Sequence, residues 1–253
     1  MAQAVNARRG PVTGTANVVK KRKPFLLDLY STAVGKKYVM AIMGIALIGF
    51  VIAHMIGNLK MFLGPAQYNH YGEFLRELLV PIVPRTIALW LMRIGLIVAA
   101  VLHVHAAYGL TRVNHAARSV KYQSARDYQV ANFASRTMRW TGIIVLLFLF
   151  FHLADLTWGT ANAVGTDGPF VRGDVYGNVV RSMDRWPVAL IYIVANIALG
   201  IHLFHGTWSL FQSMGWNNPR FNKWREYLAV TVATIVTVGN VSFPIAVLAG
   251  VVG

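Results

Sequence analysis

Six histidines lie inside long apolar stretches of this sequence, where an ionisable side chain is costly and therefore marks function. An imidazole in such a place can relay protons, hydrogen-bond across helices or ligate a haem iron. The chain has no cysteine, so it cannot supply thiolates to an iron–sulfur cluster or attach haem covalently. Any redox centre that it holds is expected on histidine or methionine. The six residues are His54, His103, His105, His152, His202 and His205.

The elements that carry these histidines are predicted to cross a membrane. The chain has 253 residues, of which 56% are hydrophobic and 13% charged, too apolar a composition for an ordinary soluble domain. Several runs approach or exceed the roughly 18–20 apolar residues that span a bilayer as a helix. We predict an all-α polytopic membrane protein with five transmembrane helices, at about 38–58, 86–111, 138–158, 187–213 and 226–250. They form one domain at 25–253, after a mobile basic cytoplasmic arm at 1–24.

The formal net charge of +15 is unevenly divided between the predicted loops. Most lysines and arginines fall in the N-terminal arm and in the second and fourth loops, which share one side of the membrane. The positive-inside rule therefore places the N-terminus in the cytoplasm and the C-terminus outside, in a multi-pass protein of the cell membrane. The basic charge then mainly reports topology, and an acidic partner surface or anionic lipid is the second interpretation. No nucleic-acid partner is expected.

The predicted directions of the helices sort four histidines into two pairs by depth. The first and third spans run outward, and at about 1.5 Å per residue His54 and His152 both fall near the outer third of the bilayer. The second and fourth spans run inward and place His103 and His202 toward the cytoplasmic half. Haem b takes two axial imidazoles from opposite sides, and facing helices of a four-helix bundle can supply them. We therefore predict a four-helix haem-binding bundle with two haems b.

The second and fourth spans each carry a second histidine, so the ligand on these helices is ambiguous. His105 lies about 200° around the helix from His103, so only one of the two can face a given ring. His205 lies one turn beyond His202, on nearly the same face. We choose His103 and His202 as ligands and expect His105 and His205 to contact a polar group, a haem propionate or a quinone. The choice within each helix stays open at this point.

Other polar and small residues within the spans are candidates for supporting roles. Arg93 is expected either to pair with a propionate of the outer haem or to snorkel to the interface. Asp155, three residues after His152 on the same face, would stabilise that imidazole, carry protons or reach the outer headgroups. Gly44 and Gly142 each precede a histidine by ten residues, and we expect them to let a helix or a flat ring approach closely.

Longer motifs carry a resemblance to a known family. The chain contains SxxxGKKxxMAxxG at 31–44, HMIGNLKMFLGP from His54, SRTMRWTG and FHLADLTWG within 135–159, and GIHLFHGTWSLFQSMG from Gly200. In these motifs it resembles the cytochrome b membrane anchor of succinate dehydrogenase, in the five-helix dihaem class of actinobacterial type. The likeness covers residues 30 to 250, nearly the whole chain.

The resemblance implies a membrane anchor and electron-transfer subunit of the respiratory chain and the tricarboxylic acid cycle. Such a subunit passes electrons from an iron–sulfur subunit via haem b to a quinone, here expected to be menaquinone. A flavoprotein and the iron–sulfur subunit would dock on the cytoplasmic side, and a small additional anchor subunit and an oligomer of the whole complex stay open. The implied axial ligands are His54 with His152 and His103 with His202. The chain alone is not expected to oxidise succinate.

The resemblance also suggests quinone contacts at both ends of the bundle. Near the cytoplasmic face, a polar cluster resembles the lining of a proximal quinone site; its members are Ser31, Lys36, Ser135 and Arg139. In the outer loop, a second set would serve a distal quinone and its protons. This set comprises Tyr68, His70 and Glu73, and Glu77 is more readily explained as a solvated interfacial residue.

Two other functions are compatible with histidines inside apolar helices. One is a dihaem cytochrome b subunit of another respiratory oxidoreductase, such as a hydrogenase, formate dehydrogenase or nitrate reductase. Its soluble partner subunits would distinguish it. The other is a transporter or proton channel that uses histidines as relays, and such a protein would show no haem absorbance when purified.

Overall fold

Among the described residues, five helices are long and apolar enough to cross a membrane. The computed structural model describes residues 24–117, 133–162, 169–216 and 218–253, with the backbone alone given for 133–136. The regular elements within these ranges are all helical, and no strand occurs in them. The predicted all-α membrane fold with five spans is thus confirmed. The predicted basic arm at 1–24 lies outside the described residues, except for Pro24.

Short helices flank the long ones. α1 (Phe25–Ser31) precedes the first span, α2 (Ala33–Asn58), which continues as a 3₁₀ turn over Leu59–Leu63. α3 (Pro65–Arg76) leads to α4 (Ile87–Ala116), and the third span is α5 (Phe133–Leu156). α6 (Val175–Met183) precedes α7 (Trp186–Ser213). After a 3₁₀ turn at Pro219–Phe221, the last span is α8 (Asn222–Leu248).

The first span begins at Ala33, earlier than the predicted start near 38. Thr32 caps it, because its hydroxyl accepts a hydrogen bond from the Gly35 N–H at 2.9 Å and satisfies a free donor of the first turn. A Cβ at Gly35 would collide with the carbonyl oxygen of Leu29, so the glycine lets α1 fold back against α2. The amphipathic pattern of residues 24–35 predicts a segment at the cytoplasmic surface, and the structure shows that its first part is a separate short helix, α1.

Of the two short helices α3 and α6, only α3 is predicted from the sequence. The sequence between Gly64 and Pro81 predicts a short interfacial helix, which α3 confirms; Pro65 stands at its first position, where the missing N–H costs nothing. α6 has no counterpart among the predicted elements. Its start is marked by Asp174, whose carboxylate accepts a hydrogen bond from the Gly177 N–H at 3.0 Å.

Four of the spans form two antiparallel helix pairs. α2 packs closely against α4, and α5 packs closely against α7, whereas between the two pairs close backbone contact is found mainly for α2 with α7. This arrangement leaves the helix pairs facing each other through their side chains. It provides the four-helix bundle in which the histidines lie.

The fifth span, α8, packs on the outside of this bundle, along α7 and against α2. Small residues allow the close approach: a Cβ at Gly200 of α7 would collide with Thr237, and a Cβ at Gly239 of α8 would collide with Met55. The larger buried core lies at one end of the bundle, where α3, α6, α7 and α8 meet around Tyr68. That end also holds one of the two histidine pairs, described next.

Candidate functional site

Four histidines on four different helices form two facing pairs of rings. His54 on α2 faces His152 on α5, with ring centroids 5.9 Å apart and ring planes at 80°. His103 on α4 faces His202 on α7, with centroids 6.4 Å apart and planes at 64°. The structure thus brings together the partners that the depth argument predicts. Their role as metal ligands stays a prediction.

Two glycines show that the pairs lie at different levels of the bundle. A Cβ built on Gly44 of α2 would lie 3.5 Å from Cε1 of His103, and one built on Gly142 of α5 would lie 3.3 Å from Cε1 of His202. On each of these helices the histidine of the other pair follows its glycine by ten residues, about 15 Å along the axis. The glycines therefore receive the rings of one pair, and the second pair lies one level away.

Hydrogen bonds at Nδ1 assign the tautomer of both rings in the His103–His202 pair. Nδ1 of His103 lies 3.0 Å from the carbonyl oxygen of Met40, which can only accept, so Nδ1 carries the proton. Nδ1 of His202 lies 3.4 Å from Oγ1 of Thr141, and when the single proton of that hydroxyl goes to the Met138 carbonyl oxygen at 3.1 Å, the hydroxyl oxygen accepts from Nδ1–H of His202. Nε2 of each ring keeps its electron pair, the form in which an imidazole binds a metal.

The His54–His152 pair is supported by a longer hydrogen-bonded chain. Nδ1 of His152 lies 3.3 Å from the hydroxyl of Tyr192, and that hydroxyl donates to Oδ2 of Asp155 at 2.7 Å. A phenol has a single proton, so the Tyr192 oxygen can only accept from Nδ1–H of His152. His152 therefore also keeps Nε2 free. On the other side of the pair, the ring of His54 stacks on Phe50 at 5.3 Å.

Asp155 is the fully buried centre of a polar network in which Ser182 and Tyr192 are also buried and Arg185 is partly exposed. Its exposed fraction is 0%, it accepts a hydrogen bond from Ser182 Oγ, and it forms an ion pair with Arg185 at 3.1 Å. Arg185 also donates to the carbonyl oxygen of Ala161 at 3.0 Å. The predicted alternative in which Asp155 reaches the outer headgroups is therefore wrong, because α6 and α7 cover it. Removing one member of a buried ion pair costs about 3–5 kcal/mol.

The donor set at each level fits a haem iron. Two imidazole nitrogens that each bind a metal at about 2 Å separate their ring centroids by roughly 6 Å, in agreement with both pairs. An iron porphyrin needs two protein ligands from opposite sides, which is what each pair provides. All four rings retain accessible surface, and His54 is the most exposed. In the described ranges, no group of three or more His, Cys, Asp or Glu side chains is placed to hold a metal ion.

The structure distinguishes the members of the doubled histidines. His105 is exposed and points away from the facing rings, since its Nδ1 hydrogen-bonds the Tyr30 hydroxyl of α1 and its ring stacks on that tyrosine at 5.7 Å. His205 is half-buried, one turn beyond His202. His103 and His202 are therefore the members that face each other, and His105 has the polar contact that was one of its predicted alternatives.

Arg93 is exposed on α4, and its guanidinium lies over the ring of Trp90 at 5.0 Å from the ring centroid. Such a cation–π contact is compatible with a position at the membrane interface, where tryptophans concentrate. A propionate contact of Arg93 stays a prediction.

The residues predicted for the cytoplasmic quinone site gather only in part. Nζ of Lys36 donates to main-chain oxygens of α1 at 2.8 and 3.1 Å, one of them the carbonyl oxygen of Ser31. The guanidinium of Arg139 lies 3.0 Å from Nε2 of His115 and so ties α5 to the end of α4. The side chain of Ser135 lies outside the described residues. Lys36 with Ser31 and Arg139 with His115 therefore form two polar groups.

In the loop after the first span, Tyr68 is buried and His70 is exposed. The Tyr68 hydroxyl donates to Oδ1 of Asn58 at 2.9 Å, which ties α3 to the end of α2. Burial, and then the neighbouring Tyr71, raise the pKa of Tyr68. Tyr68 is thus a neutral hydrogen-bond donor at the interface between α2 and α3.

Glu73 is paired with two arginines, Arg76 on its own helix and Arg85 before α4. The hydrogen bond from Arg76 holds the pKa of Glu73 below its usual range, with Arg85 acting in the same direction and burial opposing them. Glu77 lies 3.7 Å from Arg85. The structure therefore shows Glu73 as an ionised partner in a charge cluster, and its predicted role in proton exchange with a quinone stays a prediction.

The sequence reading missed the groups that support the histidine rings. Tyr192, Ser182 and Arg185 are absent from the predicted site, although they surround Asp155. One signal was available: Tyr192 precedes His202 by ten residues, which on α7 is the spacing between the two levels. The role of the Met40 carbonyl could not be recognised from the sequence, because every residue has a main-chain carbonyl.

A family model described as "Succinate dehydrogenase/Fumarate reductase transmembrane subunit" matches residues 112–241, just over half of the chain. The matched region contains α5, α6 and α7, the end of α4 and most of α8, and so includes His152, Tyr192 and His202. No match was found among curated proteins or among solved structures.

Proposed function

The chain belongs to the family of succinate dehydrogenase/fumarate reductase transmembrane subunits, and from this premise we propose that it is the cytochrome b anchor of a succinate dehydrogenase. The finer assignment is the dihaem class of actinobacterial type, with two haems b. In this role the chain transfers electrons from an iron–sulfur subunit to menaquinone, in the cell membrane with its N-terminus in the cytoplasm.

The observation that carries this proposal is the facing of the histidines in two pairs at two levels. Ring centroids 5.9 and 6.4 Å apart suit two axial ligands on one iron. Three of these rings donate from Nδ1 and so present Nε2 as the ligand atom. A histidine relay for protons would not require rings that face each other in pairs across the bundle.

Haem b, when bound, supplies reversible one-electron transfer. The chain's own groups hold and orient the ligand rings: the Met40 carbonyl positions His103, the Thr141 hydroxyl positions His202, and Tyr192 positions His152. Such outer hydrogen bonds fix ring orientation and raise the basicity of the ligand nitrogen.

The end of the bundle that carries α1, Lys36 and Arg139 is the side on which we place the flavoprotein and iron–sulfur subunits. The sequence assigns most lysines and arginines to that side, as the positive-inside rule requires of a cytoplasmic face. The His103–His202 pair lies nearer to this end, so it is the first to receive electrons from the iron–sulfur subunit. We place a quinone site at the same end, near Lys36.

The test is to purify the tagged chain from its own membranes with its partners and to measure succinate-dependent reduction of a menaquinone analogue. A soluble dye that takes electrons directly from the iron–sulfur subunit provides the matched control. We expect His103→Ala to abolish quinone reduction while leaving dye reduction within about twofold of the wild type.

Co-purification with hydrogenase, formate dehydrogenase or nitrate reductase subunits would contradict the proposal, as would quinone reduction that is unaffected in the His103→Ala complex. The reverse assay, fumarate reduction by a menaquinol analogue, separates a succinate dehydrogenase from a fumarate reductase within the same family.

A further inference from the structure

The buried network around Asp155 sits behind one histidine pair only. Its members form a continuous chain from Nδ1 of His152 through the hydroxyl of Tyr192 to the carboxylate of Asp155, at 3.3 and 2.7 Å. The carboxylate is completed by Ser182 Oγ and by the Arg185 guanidinium. The network is thus satisfied by protein groups alone and has a defined direction of proton donation, from ring to phenol to carboxylate.

Burying a charged pair is costly, and the ion pair alone does not account for the tyrosine between it and the histidine. Asp155 would be satisfied by Ser182 and Arg185 without Tyr192. Tyr192 itself is 4% exposed, and its hydroxyl is placed to contact both the ring and the carboxylate. The arrangement therefore couples the carboxylate to the ring.

We propose that Asp155 is a positioning residue that acts through Tyr192 to fix the tautomer and orientation of His152 and to make its Nε2 more basic. The inference rests on the proposed function, because it assigns His152 as an axial ligand. A ligand hydrogen bond that ends on a carboxylate raises the basicity of the metal-bound nitrogen. A haem held by the His54–His152 pair would then favour the ferric state more strongly than a haem whose ligands are supported by neutral groups.

Net charge does not explain such an effect by itself, because Arg185 balances Asp155 at 3.1 Å. The influence on His152 must therefore pass through the hydrogen bond of Tyr192. This distinguishes a positioning role from a simple electrostatic one. It predicts that the two residues act as one unit and that removing either has the effect of removing both.

The experiment is a double-mutant cycle of Tyr192→Phe and Asp155→Asn in the purified complex, read by redox titration and by electron paramagnetic resonance of the ferric low-spin signals. We expect Tyr192→Phe to raise the midpoint potential of the haem whose band is lost in His54→Ala, and to change its low-spin signal, which depends on the angle between the two imidazole planes. A tenfold change in the preference for ferric over ferrous iron corresponds to about 59 mV. Asp155→Asn should shift the same haem in the same direction, and the double variant should show no further shift.

Two variants serve as matched controls. Ser182→Ala removes a hydrogen bond from the Asp155 oxygen that also accepts from Tyr192, but it leaves the tyrosine in place, so it should shift the potential of this haem by less than Tyr192→Phe does. Thr141→Val removes the neutral partner of His202, and it should affect only the other haem. Tyr192→Phe keeps the ion pair and the ring packing, so it tests the inference even if Asp155→Asn fails to fold.

An unchanged potential and signal in Tyr192→Phe would overturn the inference. Additive shifts in the cycle would also overturn it, because Asp155 would then act by its charge and not through the tyrosine. In both cases the wild-type complex still contains haem b, so the proposed function stands. A wild-type complex without haem b would overturn the proposed function and this inference together.

Discussion

The His54–His152 pair and the His103–His202 pair have similar ring separations, 5.9 and 6.4 Å, but the groups behind the rings differ in charge. Behind His152 lies a tyrosine bonded to a buried carboxylate. Behind His103 and His202 lie a main-chain carbonyl and a threonine hydroxyl, both neutral. One bundle thus presents the same pair of facing imidazoles twice, with different polar partners around each pair.

The pairs also differ in how the neighbouring helices make room for the rings. Glycines on α2 and α5 lie against His103 and His202, so these rings pack on bare backbone. At the other level, His54 stacks on Phe50, and His152 meets the phenol of Tyr192. A steric change should therefore disturb the His103–His202 pair, whereas a polar change should disturb the His54–His152 pair.

The largest expected effect comes from replacing the four paired histidines, and it tests whether the two pairs hold different haems. We expect His54→Ala and His152→Ala to lose the same haem band, and His103→Ala and His202→Ala to lose the other, each leaving about half of the haem content. Reduced-minus-oxidised spectra of the purified variants measure this. Loss of one common band in both His54→Ala and His103→Ala would show that the pairing is wrong.

A bulkier residue at Gly142 should selectively disturb the His103–His202 pair. The built Cβ already lies 3.3 Å from His202, so the extra methyl groups of Gly142→Val overpack the site by about 1–3 kcal/mol. We expect most of that haem to be lost, with the other retained, in the same spectra. Gly49→Val on α2 is the matched control, because a Cβ there has no neighbour within 4 Å. Equal haem loss in both variants would contradict the close approach at Gly142.

The smallest expected effect concerns Asp174, which caps α6 beside the network end of the bundle. Burial raises the pKa of Asp174, but hydrogen bonds from the Gly177 N–H, Asn69 and Arg181 outweigh it and lower the pKa below its ordinary value. A depressed pKa means that the carboxylate contributes stability above the ordinary Asp value of about 3.9. This contribution is lost as the pH falls through the lowered value.

Asp174→Ala should therefore destabilise the protein by about 1 kcal/mol at neutral pH, which lowers the unfolding temperature by roughly 2–4 °C in detergent. The difference from the wild type should shrink as the pH is lowered. Asp184→Ala, at the exposed other end of α6, is the control and should have no measurable effect. A pH-independent difference for Asp174→Ala would contradict the assigned role of its carboxylate.

The spans and the pairing of histidines were predictable because they depend on long-range regularities of sequence. Apolar length predicts helices, and helix direction places His54 with His152 before any contact is known. The start of the first span at Ala33 was not predictable from apolar length, because a threonine cap and a glycine contact determine it. α6 was missed although its apolar residues share one face, because it has only nine residues and directly follows a loop rich in glycine and aspartate.

The groups behind the rings were harder to predict, for a physical reason. Asp155 was recognised as unusual from its position, but its partners come from α6, the start of α7 and the segment between them, so their proximity depends on tertiary packing. The hydrogen bond from His103 to the Met40 carbonyl could not be predicted either, because it does not depend on the type of residue 40. The sequence therefore predicts which side chains bear the chemistry more readily than it predicts what orients them.

The central claim is that each of the two histidine pairs holds one haem b. Its most direct test is a pyridine haemochrome determination on the purified complex, with the haem content expressed per copy of this chain. We expect a haem b spectrum and two haems per chain. A complex that contains no haem b, or in which changing all four histidines leaves the haem content unchanged, would contradict it.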